Sequence, residues 1–201
     1  MVFLLVKMVD LSREQTYAIV AFILKNNEFS QGEIANSAGV SKAWVSKVFK
    51  RLGAKGYIKK AGGRYACSKP VELVSLFPLF RSMQNNLIES FSLDLEREKL
   101  LSFLKGKKVV LCTTTALQFH SSYFRDPSTD FYTGDKSILK EFKKIDNGLL
   151  RVNLYRADLC LEADVEKRHG FEITDPVRTV IDLFCDNKAY AAEKLVKRLW
   201  E

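Results

Sequence analysis

Hydrophobic and polar positions in the first 55 residues follow helical spacing. Ser30 and Glu33 have the spacing of a capping box, and Ser12 with Gln15 repeats it. These pairs predict one helix ending near residue 26 and a shorter one ending near residue 38. Ser41 opens a third predicted helix, to about residue 55, whose apolar residues recur at i, i+3, i+4 and i+7: Val45, Val48, Phe49 and Leu52. The third helix therefore has one apolar face.

Strand patterns follow the three helices. Residues 57–60 and 64–67 predict two short strands, and Gly62-Gly63 between them supplies the positive φ angles of a tight hairpin turn. Three helices followed by a hairpin is the order of a winged helix-turn-helix domain, which we assign to residues 1–68. Pro70 then opens a predicted helical connector over residues 69–86.

Residues 87–201 mix the two kinds of pattern. Strands are predicted at 87–93, 109–112, 130–133, 151–155 and 171–174, and helices at 94–105, 113–120 and 138–144. Two more helices close the chain, the first beginning at Pro176. The predicted fold class is α+β, with an N-terminal winged helix-turn-helix followed by a mixed α/β C-terminal domain whose topology stays open.

Positive charge is concentrated in the predicted winged domain. The chain has a net charge of +8, and no acidic residue lies between Glu33 and Glu72. Without the nine basic residues of this stretch, 23 basic residues stand against 24 acidic ones. The nine are Lys42, Lys47, Lys50, Arg51, Lys55, Lys59, Lys60, Arg64 and Lys69. Such a local excess on a helix-turn-helix pattern predicts binding to a polyanionic duplex, namely double-stranded DNA.

The third helix provides the candidate contacts to bases. In a helix-turn-helix this helix enters the major groove, and the face opposite its apolar residues meets the DNA. Lys42, Ser46 and Lys47 are expected at base edges or adjacent phosphates, and Ala43 at a thymine methyl group. Trp44 borders the apolar face, so both core packing and DNA contact remain open for it.

The flanking residues provide the candidate phosphate contacts. Ser41 is expected to cap the helix where its N-terminus approaches a phosphate. Arg64 at the hairpin tip is also expected to reach a minor groove. The candidates for backbone contact are Lys50, Arg51, Lys59, Lys60 and Arg64.

Composition limits the other function classes. Apolar residues make up 47% of the chain, which predicts a packed core. The four cysteines show neither CxxC nor zinc-site spacing, and we expect buried, reduced thiols. The apolar start Val2–Val6 is too short for a signal peptide or a membrane span, and it is either a strand or a disordered lead-in. We predict a cytoplasmic protein without a membrane association or cofactor.

The second half shows no enzymatic motif. His120 and His169 stand apart from any nucleophile and are interpreted as polar loop residues. Asp182 is expected to make a surface or capping interaction with Arg178, four residues earlier. A run of acidic residues is interpreted as a solvated loop or helix face: Asp158, Glu162, Asp164 and Glu166. Metal-assisted chemistry needs carboxylates that converge in space, which a sequence does not show. We predict no enzyme activity and no metal site.

Short motifs along most of the chain resemble a known family. They are Lys69-Pro70-Val71-Glu72-Leu73-Val74, Thr114-Thr115-Ala116-Leu117-Gln118-Phe119-His120, Phe131-Tyr132-Thr133 and the run from Ile173 to Phe184. Their order is similar to that in antitoxins and transcriptional regulators of AbiE-type (type IV) toxin–antitoxin systems. In this chain a threonine replaces the usual glycine before the Ala-Leu helix, and Asp182-Leu183-Phe184 stands for Asp-Leu-Leu.

The resemblance implies a repressor of its own operon. Its second half would counter a nucleotidyltransferase-like toxin without a stable direct complex, and no catalytic residue carries over. Two alternatives stay open: a one-component regulator whose second half senses a small ligand, and a DNA-targeted enzyme such as a nuclease. A homodimer is a further expectation, because two-fold operators mirror dimeric regulators.

Overall fold

The computed structural model describes residues 13–121 and 126–201. It has a mixed α+β architecture, as the sequence pattern predicts, and divides into two compact units between Arg81 and Ser82. Within the described ranges, no helix has both the length and the apolar character needed to cross a bilayer. The predicted strand or lead-in at Val2–Val6 and the predicted cap Ser12 lie outside the described residues.

The first unit contains the three predicted helices. Helix α1 spans Glu14–Lys25, α2 Gln31–Ser37 and α3 Lys42–Ala54. The capping box of α2 is confirmed, since Ser30 N donates to Glu33 Oε2 at 2.7 Å and Glu33 N donates to Ser30 Oγ at 3.2 Å. Gly39 follows α2 with a φ of +62°, the left-handed region that glycine enters without strain.

A hairpin follows α3. Strands β1 (Ile58–Ala61) and β2 (Arg64–Cys67) pair antiparallel around Gly62 and Gly63, whose φ angles are +55° and +90°. Phe29, between α1 and α2, adds a third short segment to this sheet. Phe29 N donates to Tyr65 O and Tyr65 N donates to Phe29 O, both at 2.8 Å.

The core of the first unit joins the helices to the hairpin. The Phe49 ring of α3 meets Tyr65 edge-on at 4.7 Å and Phe29 at 5.9 Å between ring centroids. The connector continues with α4 (Pro70–Val74) and a 3₁₀ turn at Phe77–Leu79, so its helix ends earlier than expected. Phe77 is buried and packs edge-on against Tyr17 of α1 at 5.6 Å.

The second unit begins with α5 (Met83–Asn86) and is built on a six-stranded sheet. The strands are β3 (Leu87–Leu93), β4 (Val109–Leu111), β5 (Thr129–Thr133), β6 (Leu150–Tyr155), β7 (Val165–Arg168) and β8 (Phe171–Thr174). The helices are α6 (Arg97–Leu104), α7 (Thr113–His120), α8 (Lys136–Phe142), α9 (Pro176–Cys185) and α10 (Glu193–Trp200), with 3₁₀ turns at Leu161–Asp164 and Ala189–Ala192. The strand order is β3-β6-β5-β4-β8-β7, with β4–β8 and β5–β6 parallel and the other pairs antiparallel.

The two faces of this sheet differ in chemistry. One face belongs to an apolar cluster that contains Phe91, Phe131, Val152 and residues of α6 and α8. The opposite face presents polar side chains, because successive strand residues point to opposite sides. On β5 and β6 these are Asp130, Tyr132, Arg151, Asn153 and Tyr155.

Strand β7 was missed by the sequence analysis. The segment Val165–Arg168 lies within the acidic and basic run that we expected to be a solvated loop or helix face. It pairs with β8 in full register, from Val165 opposite Thr174 to Arg168 opposite Phe171. As an edge strand with one partner, β7 tolerates the charged side chains that concealed it in the sequence.

Candidate nucleic-acid interface

Helix α3 separates an apolar face from a basic one. Ser41 Oγ accepts a hydrogen bond from Trp44 N at 3.2 Å, which fixes the start of the helix. The predicted apolar residues are all buried: Val45, Val48, Phe49 and Leu52. All ten predicted DNA contacts are exposed: Ser41, Lys42, Ala43, Ser46, Lys47, Lys50, Arg51, Lys59, Lys60 and Arg64. The structure therefore leaves the whole predicted contact set on the surface of the first unit.

Six of these basic residues make up what we call the basic surface: Lys42, Lys47, Lys50, Arg51, Lys59 and Lys60. Among the residues that the structure describes, none of the six forms an ion pair. Their charges are therefore not neutralised within the chain. An uncompensated set of this kind attracts polyanions, and the attraction falls with ionic strength.

Arg64 differs from the basic surface. Its Nη2 donates to Glu33 Oε2 at 2.9 Å and to Glu28 O at 3.2 Å, and its Nε lies 3.7 Å from Glu28 Oε2. The side chain is 44% exposed. The Arg64 guanidinium thus ties the hairpin to the start of α2, and any DNA phosphate must compete with two carboxylates for it.

Trp44 lies at the border of the two faces, half-buried. The guanidinium carbon of Arg13 lies 5.7 Å from the ring centroid and Lys47 Nζ lies 5.9 Å from it, both within cation–π range. The indole nitrogen is buried and has no hydrogen-bond partner in the described part of the chain. The ring therefore supports Lys47 from the side, and its polar edge does not face outward.

In the second unit, Asp158 and Asp164 are not solvated as we expected, whereas Glu162 of the same acidic run is exposed. Arg178 of α9 is fully buried and donates from Nη2 to Asp158 at 2.6 Å and to the Tyr132 hydroxyl at 3.0 Å. Its Nε donates to Asp182 at 2.8 Å, and Nη1 lies 3.4 Å from Asp164. The pairing of Arg178 with Asp182 is as predicted, but its surface placement is wrong. The carboxylates do converge, and a guanidinium occupies the point where they meet.

A second buried network surrounds Asp130. Asn153 Nδ2 donates to Asp130 Oδ1 at 2.7 Å, and the hydroxyls of Thr113 and Thr114 point to Oδ2. Burial raises the pKa of the Asp130 carboxyl, while the hydrogen bonds from Thr113 and Asn153 lower it. Thr113 has a φ of +47°, which a β-branched residue rarely adopts. Thr114 of this network belongs to the motifs that carry the family resemblance, as do Tyr132, Arg178 and Asp182 of the Arg178 cluster.

His120 is also placed differently from the expectation of a polar loop. It is the last residue of α7, and its side chain is buried. The Thr174 carbonyl lies 2.8 Å from Nε2, so this nitrogen carries the proton and Nδ1 faces Glu166 at 3.7 Å. Burial lowers the pKa of His120, against the raising effects of Thr174 and Glu166. The folded protein therefore favours the neutral imidazole.

This arrangement predicts a loss of stability in mild acid. At pH above the unfolded-state pKa of about 6.5, His120 is neutral in both states and contributes no pH dependence. As the pH falls below that value, the unfolded chain takes up a proton more readily, so the free energy of unfolding decreases. Urea unfolding at pH 7.5 and 5.5 measures this decrease in the free energy of unfolding. The His120→Gln substitution should reduce the pH dependence of the free energy of unfolding. His169→Asn, at an exposed turn position with a φ of +50°, should retain it.

The polar residues Asn153, Tyr155 and Lys188 carry no signal in the sequence analysis. They come from β6 and from the segment after α9, and only the folded sheet brings them together.

Comparison with known proteins adds no assignment: no protein-family model, curated protein or solved structure matches this chain.

Proposed function

We propose that this chain is a sequence-specific DNA-binding transcriptional regulator and that its first unit is a winged helix-turn-helix. One observation carries the proposal. The basic surface is exposed, lacks ion pairs among the described residues and lies on α3 and β1, while the opposite side of α3 is buried. The order of three helices and a hairpin, with Phe29 as an extra sheet segment, supports the domain type.

The proposed docking puts α3 in the major groove. Lys42, Ser46 and Lys47 lie on its exposed side near the N-terminal end and would reach base edges. Lys59 and Lys60 lie on β1 and would bind phosphates, which fix position without reading sequence. Ala43, one residue beyond Lys42, offers its methyl group to a thymine.

Two sets of variants test this division of roles. Lys59→Ala with Lys60→Ala should weaken binding to all duplexes to the same extent and make the slope of log affinity against log salt shallower by about 1.8. Lys47→Ala should instead reduce the preference for the selected sequence by about 1–3 kcal/mol. The measurement is a titration at several salt concentrations with duplexes selected from a random pool and with a scrambled duplex.

The matched control is Lys25→Ala, an exposed lysine in the last turn of α1 and outside the basic surface. It should leave both the slope and the sequence preference unchanged. If Lys47→Ala and the double variant Lys59→Ala, Lys60→Ala change the salt slope and the sequence preference in the same way, α3 is not the element that recognises the DNA sequence. If neither changes binding, the proposed surface is wrong.

We further propose, on the family resemblance, that the regulator acts as the antitoxin of a type IV module. Its supporting observation is that four residues of the resembling motifs, Thr114, Tyr132, Arg178 and Asp182, take part in the buried polar networks of the second unit. The test is growth rescue when the full chain is expressed with a nucleotidyltransferase-like toxin encoded by an adjacent gene. If a chain that still binds DNA does not rescue growth, the antitoxin role is contradicted and the proposal of DNA binding is not affected.

A further inference from the structure

The polar face of the second unit contains a pocket of about 410 Å³. Its floor is the face of β6 that carries Arg151, Asn153 and Tyr155, and its sides include residues 126–128, Asp186 and Lys188. This volume falls in the range of small-molecule sites. The three floor residues alternate along one strand, so they point to the same side about 7 Å apart.

The carboxylates around this pocket already have partners. Asp126 Oδ1 accepts from Ser128 N at 2.8 Å and from Ser128 Oγ at 2.7 Å. Asp186 lies 2.8 Å from Lys188 Nζ, and Asp130 accepts from Asn153. Among the described residues no group of His, Cys, Asp and Glu side chains could hold a metal ion. The acidic residues therefore order the pocket walls and do not present an open cation site.

The pocket is also lined by a hydrogen-bond donor that has no partner among the described residues. Tyr155 is 2% exposed and lines the pocket, yet within the described ranges its hydroxyl makes no hydrogen bond. The hydroxyl oxygen is not among the fully enclosed polar atoms of the described residues, so it opens into the pocket, where a ligand oxygen can accept its hydrogen bond. This orphan hydroxyl is the observation that points to an occupant.

Lys188 and Arg151 add positive charge to the lining of the pocket. Lys188 has three N–H donors, and its other two carboxylate neighbours, Asp126 and Asp130, are both 3.9 Å away. Although burial opposes it, the hydrogen bond to Asp186 raises the pKa of Lys188, so the ammonium stays charged. Arg151 is exposed and forms no ion pair with any described residue.

We propose that this pocket binds a small molecule carrying a phosphate or carboxylate group, whose oxygens accept hydrogen bonds from Tyr155, Lys188 and Arg151. The pocket carboxylates are each paired inside the chain, Asp186 through its ion pair with Lys188, whereas the Tyr155 hydroxyl and the Arg151 guanidinium have no such partner among the described residues, and this difference favours a ligand that brings acceptors. An arginine that lacks a carboxylate partner suits either anion through its fork of N–H groups. An amine ligand fits less well, because it would have to displace Lys188 from Asp186.

Calorimetry and thermal unfolding of the full chain test the site with five probes. Three carry phosphate (inorganic phosphate, ribose 5-phosphate and AMP), and two carry carboxylate (glutamate and citrate). At least one probe should bind with one-to-one stoichiometry and raise Tm, and the phosphate and carboxylate arms identify which anion the site prefers. Tyr155→Phe, which removes only the hydroxyl, should lower the affinity for that probe by about tenfold or more.

Further variants separate this site from the basic surface. Arg151→Gln and Lys188→Met should each weaken binding of the probe. Lys140→Met, at an exposed position of α8, should leave the affinity for the probe unchanged. A chain with Lys42, Lys47 and Lys50 changed to glutamate should still bind the probe, so the pocket and the DNA surface can fail separately. The proposal is overturned if no probe binds at 10 mM (about the highest practical concentration). It is equally overturned if Tyr155→Phe and Arg151→Gln bind with unchanged affinity.

Discussion

Replacing Lys42, Lys47 and Lys50 together with glutamate is expected to weaken duplex binding at least about 100-fold at 0.15 M salt. The three lysines lie exposed on α3 and have no ion-pair partner among the described residues. Each lost phosphate contact removes the release of about 0.9 counterions, and the introduced carboxylates add repulsion from the DNA backbone. A filter-binding or anisotropy titration with a duplex of the upstream region measures the loss.

The matched control changes Lys136, Lys140 and Lys144 to glutamate. These lysines lie exposed in or beside α8 of the second unit, and the substitutions change the net charge by the same amount. We expect the control to lower affinity much less, through long-range electrostatics alone. Equal losses in the two triple variants would show that net charge, and not the position of the basic surface, determines binding.

Replacing Arg178 with methionine is expected to lower the free energy of unfolding by about 3–5 kcal/mol. Arg178 is fully buried and donates to Asp158, Asp182 and the Tyr132 hydroxyl. The substitution would leave the buried carboxylates of Asp164 and Asp182 without their counter-charge, and removing one partner of a buried pair costs far more than a surface pair contributes. Urea denaturation of the full chain measures the change, with a probe in the second unit.

Arg151→Met is the matched control for Arg178. Both positions are arginines of the second unit, but Arg151 is exposed and has no described ion pair. We expect the control to change stability by less than about 0.5 kcal/mol. If Arg178→Met unfolds at the same urea concentration as the control, the cluster does not stabilise the second unit.

Local signals predicted much of the fold. The capping box at Ser30 and Glu33, the cap at Ser41 and the Gly62-Gly63 turn act between residues close in sequence, so the sequence carries them directly. Strand β8 was predicted at its observed bounds, 171–174. Burial of the third helix's apolar face follows from its spacing, and the exposure of the opposite face follows from the same geometry.

Long-range pairing explains what was missed. Strand β7 is ordered by its ladder to β8, and its charged sequence resembles a surface loop. The ion pair between Arg64 and Glu33 was missed for the same reason. The two residues lie 31 positions apart, and a count of charges along the sequence does not show that they pair. Asp158, Asp164 and Asp182 meet at Arg178 only after the sheet and α9 have formed. Tertiary structure, not local preference, decides which charged residues are buried.

The most direct test of the account is the salt dependence of binding between the purified full chain and a duplex from its own upstream region. If Lys50, Arg51, Lys59 and Lys60 contact phosphates, log affinity should fall linearly with log salt with a slope of about −3.6. The same slope should become shallower in the Lys59→Ala, Lys60→Ala variant. Failure to retain any duplex at about 20 mM salt, where such attraction is strongest, would contradict the assignment of DNA binding.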